Sequence, residues 1–169
     1  MSKRALKKYL GTLEKEQLEE QILDLYERFG EVKTFYNFVF NPKEDKLVQD
    51  AKFKISKEYF PTTSRRPKAR RSVAQKFIKH FIKLGLDPIL LADVMLYNIE
   101  IAQAYSADRE IKEPFYRSIY KSFEEATTFI LANNLTPEFL PRMHKIEVNT
   151  QEQDWPNKYQ FEKVMDQFH

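Results

Sequence analysis

Apolar positions recur at intervals of three and four residues through most of the chain, and no segment alternates with period two. That spacing predicts helices and no sheet. It is clearest between residues 73 and 104. Val73, Phe77, Phe81 and Leu84 mark one helical stripe, widened by Ala74, Ile78 and Ile82. Gly85 then stands where a left-handed helix stop is needed, a backbone conformation that glycine adopts without a Cβ clash. Asp87 is placed to cap a new helix, with Pro88 at its first position, where no N–H is required. So short a joint predicts two antiparallel neighbours, an αα-hairpin. The first arm carries Lys68, Ser72, Lys76, Lys79 and Lys83 on the side opposite its stripe. The second arm, 88–104, is apolar almost all round and is expected to be the most buried helix. Its exceptions, Asp93, Glu100 and Gln103, share one narrow stripe. Asp93 and Glu100 are therefore candidates for buried ion pairs, since an unpaired buried carboxylate is costly. Arginines of the basic arm are their first expected partners.

The remaining elements follow in the same way. Ser2 caps a short helix, and a second runs over 15–29 with Leu18, Ile22, Leu25 and Phe29 as its buried face, ended by Gly30. An aromatic-rich helix over 31–40 is followed by Asn41-Pro42, which is expected to open a fourth helix reaching about Tyr59. Pro61 stops it, and PTTSRRP reads as a loop because two prolines and three hydroxyl residues punctuate it. After the hairpin, SADREIKEP is a second loop and Pro114 opens a long helix with Asn133-Asn134 as its stop. Thr136-Pro137 starts a shorter helix that Pro141 is expected to interrupt. A polar stretch, NTQEQD, leads to Trp155-Pro156 and a last amphipathic helix with Phe161, Val164, Met165 and Phe168. The fold expected is all-α, seven to nine helices arranged as antiparallel hairpins. Residues 1–150 form one domain in this reading, and 151–169 a C-terminal amphipathic helix that docks on it or binds a partner.

Composition narrows the chemistry. At 169 residues, 42% of them hydrophobic, the chain is long enough to bury a core. Three glycines leave little room for phosphate-cradling loops, and the absence of cysteine removes disulfides, thiolate catalysis and thiolate ligation. The N-terminal MSKRALKKYLGTLEKEQ lacks the apolar core of a signal peptide. No run approaches the roughly 18 apolar residues of a spanning helix. The reading is a cytoplasmic protein without a membrane partner.

FNPKEDKLVQDAKFKISKEYFP, followed by RRPKARRSVAQKFIKHFIKLGLDP, resembles a family of small bacterial proteins catalogued only as a domain of unknown function. The resemblance runs from KKYL near the start through the helix after Pro114. It implies a compact bacterial all-helical domain and brings no activity or ligand with it.

Charge adds the most functional signal. Net charge is +3, yet residues 52–85 hold eleven of the 28 basic residues and only one acid, Glu58. Such polarity steers anionic partners to one side. Arg65, Arg66, Lys68, Arg70 and Arg71 sit at a loop-to-helix junction, and Lys76, Lys79 and Lys83 continue along the next helix. Together they form the candidate anion-binding face, with nucleic acid the first polyanion to consider. Phe53, Tyr59 and Phe60 are candidates for base stacking, against the competing reading as core. The plain alternative is a solvated face on a helical scaffold that binds another protein, or itself, through apolar surface near the C-terminal helix. Enzyme chemistry finds no purchase: His80, His144 and His169 lack metal-ligand spacing, and no nucleophile elbow or Walker loop is present. His144 and Glu147 lie one turn apart without a third ligand. No cofactor or metal is expected.

Overall fold

The computed structural model describes residues 1–168. Among them, all regular secondary structure is helical: nine α-helices and a closing 3-10 turn at Asp166–Phe168. Contacts divide the chain into two units, Met1–Lys43 and Glu44–His169.

The first unit holds α1 (Lys3–Leu10), α2 (Lys15–Arg28) and α3 (Gly30–Phe40). Ser2 caps α1 as expected, its hydroxyl accepting the Ala5 N–H at 3.2 Å. Glu14 and Gln17 form a reciprocal capping box at the start of α2. Gly30 does not end α2; it is the first residue of α3, and the break falls on Phe29, whose backbone is extended (φ −116°, ψ 111°). Asn41 ends α3, and α4 begins only at Glu44. The residue before a proline avoids helical backbone, while Glu44 and Asp45 favour the positive end of the helix dipole. No residue of α1, α2 or α3 is buried. The expected buried face of α2 is therefore open, with Ile22 43% and Phe29 53% exposed. Three short helices enclose too little volume to hide a side chain on every side.

The second unit comprises α4 (Glu44–Tyr59), α5 (Arg71–Leu84), α6 (Pro88–Ser106), α7 (Glu113–Ala132), α8 (Thr136–Glu152) and α9 (Lys158–Met165). Helix α6 is its axis, touching α4, α5, α7 and α8. Ten of its residues are buried, more than in any other helix, including Leu91, Val94, Leu96 and Ile99. The joint before it has the chemistry the sequence predicts. Gly85 is left-handed (φ 74°), its N–H reaches Ile82 O at 3.2 Å, and the Leu86 N–H reaches Phe81 O at 3.1 Å. The Asp87 carboxylate then accepts the Ile89 N–H at 2.8 Å.

Pro141 does not interrupt α8, which runs unbroken for 17 residues. Its missing N–H forfeits one bond in the second turn, and burial of Phe139, Met143, Ile146 and Thr150 along one face carries the helix through. NTQE of the polar stretch belongs to this helix, so residues 150 and 151 lie inside α8. Helix α9 is docked within the unit against α7 and α8, with Phe161 stacked on Phe123 at 4.9 Å between ring centres.

Candidate functional site

The loop between α4 and α5 is organised by one residue. Glu58, in the last turn of α4, accepts the N–H groups of Lys68 and Ala69 on its backbone oxygen, at 3.0 and 2.9 Å. Ala69 takes a left-handed backbone (φ 46°) to do so. The Glu58 carboxylate meanwhile receives the Arg70 guanidinium as a fork, at 2.8 and 2.9 Å. That hydrogen bond, outweighing the opposing effect of burial, holds the Glu58 carboxyl below the usual carboxylate range. The only acid of the basic segment is thereby taken up by the arginine that closes the loop.

The closed loop leaves a cleft of about 310 Å³ lined by Lys57, Arg65, Arg66 and Lys68, with Thr62 and Thr63 adding hydroxyls. All four cations are exposed, and none is in an ion pair among the described residues. Arg71 is spent elsewhere: its Nε donates to Ser122 at 2.7 Å, and its Nη2 pairs with Glu125, which also accepts from Gln75. Further along α5, Lys76, Lys79 and Lys83 occupy exposed positions, likewise outside any ion pair among the described residues. The eight candidate cations thus divide in two. Arg70 and Arg71 build the scaffold; Arg65, Arg66, Lys68, Lys76, Lys79 and Lys83 face solvent.

The carboxylates of α6 are joined by a cation from outside the basic arm. Arg142 of α8 forks onto Glu100 at 2.9 and 2.9 Å and reaches Asp93 at 2.8 Å. Lys52 of α4 completes the cluster, 2.6 Å from the other Asp93 oxygen. Burial pushes the Asp93 carboxyl up, but the bonds from Lys52 and Arg142 outweigh it, and the net effect lies below the ordinary value. Both carboxylates are part-buried rather than enclosed, with side chains 26% and 35% exposed. One turn further, Gln103 donates to Ile146 O at 2.7 Å and accepts from Asn149 at 3.3 Å. The polar stripe of α6 is therefore the seam along which α8 is stitched.

The three aromatics weighed for stacking part company. Tyr59 is fully buried, and burial raises its phenol well above its ordinary value. Phe53 and Phe60 are 55% and 40% exposed. The Lys57 ammonium lies 4.2 Å from the Phe53 ring centre. The Arg109 guanidinium lies 5.8 Å from that of Phe60 and 4.5 Å from that of Tyr105. Arg109 was not legible as part of this surface, because it belongs to a different loop and only the packing of Tyr105 on Phe60 brings it near.

His80 is exposed beside Phe81, and His144 meets Glu147 at 3.0 Å on the surface of α8. His169 lies outside the described residues. No group of three or more metal-ligating side chains occurs among the described residues. No helix among them is long and apolar enough to cross a membrane.

An interior helix stitched by ion pairs and an α4–α5 loop closed on Glu58 define an all-α protein. Its family is one of unknown function: the model for DUF6155 matches residues 1–169, and the chain belongs to that family. No curated protein and no solved structure matches it.

Proposed function

We propose that this protein binds nucleic acid through its phosphates, using the α4–α5 loop and the lysine face of α5. The observation that supports the reading is the fate of Glu58. Glu58 lines the same cleft, but its carboxylate is forked by Arg70, so Arg65, Arg66, Lys68 and Lys57 line it without an ion pair of their own. Four cations and two hydroxyls around one cleft offer donors to the oxygens of phosphate diesters, which guanidinium groups bind as forks. Such contacts position a polyanion without reading its sequence. The setting we assign is the cytoplasm, with no membrane partner.

The test is a charge-reversed variant, Arg65→Glu/Arg66→Glu/Lys68→Glu, with Arg70 left in place because it holds the loop. Fluorescence anisotropy with a labelled oligonucleotide at 50 mM salt should show affinity falling at least about tenfold, with a shallower salt dependence than wild type. The melting temperature should hold within about 2 °C, since exposed substitutions away from packed groups cost little. Unchanged affinity would remove the reading.

A second reading, association with a protein partner or a second copy, is favoured by one observation: no helical residue of Met1–Lys43 is buried, and Leu23, Phe29, Val39 and Phe40 are at least half exposed. Apolar association is far less sensitive to salt than phosphate contact, so sedimentation at low and high salt separates the two.

A further inference from the structure

Phe53 and Lys57 stand at i and i+4 on one face of α4, and Phe60 follows its last residue with its N–H still bonded to Ser56 O at 2.7 Å, which keeps Phe60 near the same face about 10 Å further along. Lys57 belongs at once to this stripe and to the cleft, which also includes Pro61, the neighbour of Phe60. Two large rings thus flank the basic cleft, each more than a third exposed although an aromatic side chain gains by burial. Each carries a cation against it, Lys57 on Phe53 and Arg109 on Phe60. Tyr59, between them in sequence, fills the interior position, and Phe60, though it meets Tyr105 edge-on at 6.0 Å, keeps 40% of its surface exposed.

We infer that the ligand of this surface is single-stranded nucleic acid, held by stacking of unpaired bases on Phe53 and Phe60 while the intervening phosphates enter the cleft. The inference rests on the phosphate-binding reading and narrows it. A duplex offers phosphates but keeps its base faces stacked inside, so it cannot use the rings. A single strand presents both, and its bases stack on exposed aromatic groups with little regard to sequence. The separation of about 10 Å lets each ring take a different base, with backbone between them passing Lys57. The guanidinium of Arg109 extends the second platform, as planar cations also stack on bases. Phe53 and Lys57 lie on a rigid helix and Phe60 directly after its end, so the platform is preformed and little ordering is needed on binding.

The experiment uses the full chain with two labelled probes, a twelve-residue oligothymidylate and a twelve-base-pair duplex, at equal salt. Wild type should bind the single strand about tenfold more tightly than the duplex. Phe53→Leu/Phe60→Leu, which keeps apolar character at positions already exposed, should weaken single-strand binding about tenfold or more. Its salt slope should stay that of wild type because no phosphate contact is removed. Circular dichroism and the melting temperature verify that the variant is folded, and Phe53→Tyr/Phe60→Tyr should restore binding through its retained rings. If both probes bind equally and the leucine variant matches wild type while the charge-reversed variant fails, the stacking inference is overturned and phosphate binding stands. If neither probe binds wild type, both are overturned.

Discussion

Trp155→Ala should lower the stability of the protein by about 4 kcal/mol, the range found when a fully buried aromatic side chain is truncated. Trp155 is 1% exposed and lies between helices that share no local sequence signal. Its indole makes edge-on contacts with Tyr116 at 5.0 Å and Phe161 at 5.7 Å between ring centres, and so ties α7 to α9. The indole N–H donates to Gln153 Oε1 at 2.9 Å, and the same oxygen accepts from Ser106 of α6 at 3.1 Å. Truncation therefore opens a cavity and removes one of two donors from a part-buried acceptor. Thermal unfolding should show a melting temperature about 10 °C lower, given the usual 2–4 °C per kcal/mol for chains of this size. Trp155→Phe, which retains a ring but no donor, should recover more than half of the loss. A melting temperature within 2 °C of wild type for the alanine variant would mean that α9 contributes little to the fold.

Arg142→Met is expected to cost about 2 kcal/mol and to change how stability responds to acid. Removing one partner of a buried ion pair costs roughly 3–5 kcal/mol, because the remaining charge is stranded. Here the penalty is smaller, since Arg142, Asp93 and Glu100 each keep about a quarter to a third of their side-chain exposure and Asp93 retains Lys52. Glu100→Gln in the Arg142→Met background should restore part of the loss, because a neutral amide needs no counter-charge. The pH effect has a definite sign. The Asp93 carboxyl is depressed in the folded protein, so the stabilisation it supplies is fully present above its ordinary value of 3.8 and disappears as pH falls through the lower, folded value. Denaturant midpoints should thus drop as pH falls below about 4 in wild type, and drop less in Arg142→Met, where part of the coupling is already gone. Parallel acid profiles would show that Arg142 is not what holds Asp93 ionised.

The α5–α6 joint was readable because every signal in it is local: a glycine stop, a capping carboxylate and a proline, each acting on backbone within four residues. The presence of acids on α6 was readable too, but not the identity of their partner. Arg142 is 42 residues beyond Glu100, and nothing in its own neighbourhood distinguishes it from any other surface arginine. The same gap separates Arg71 from Glu125, 54 residues away. Arg70 and Arg71 therefore looked like members of one cluster, while tertiary packing assigns them to different carboxylates. The misjudged breaks have a different cause. Gly30 and Pro141 permit or favour a stop without compelling one: Gly30 is taken up as the first residue of α3, and the buried face of α8 carries that helix through Pro141. Periodicity also told which face of α2 is apolar, but a period cannot say whether anything covers that face.

The four bonds to Glu58 have a consequence for chain integrity. They fasten the two ends of the 59–67 segment to each other, so continuity of the backbone between those ends adds little to the hold of α4 on its neighbours. Trypsin should cut the native protein first between Arg65 and Arg66, the bond before Pro67 being resistant. The two pieces should then migrate as one species in gel filtration. Val48, Ala51, Ile55 and Tyr59 of the first piece remain buried in the second unit, and only denaturant should part them. Exposed loop tips with anchored ends are also where foreign chain is accommodated, so a reporter domain inserted at that bond, or new termini made there, should leave a protein that still folds.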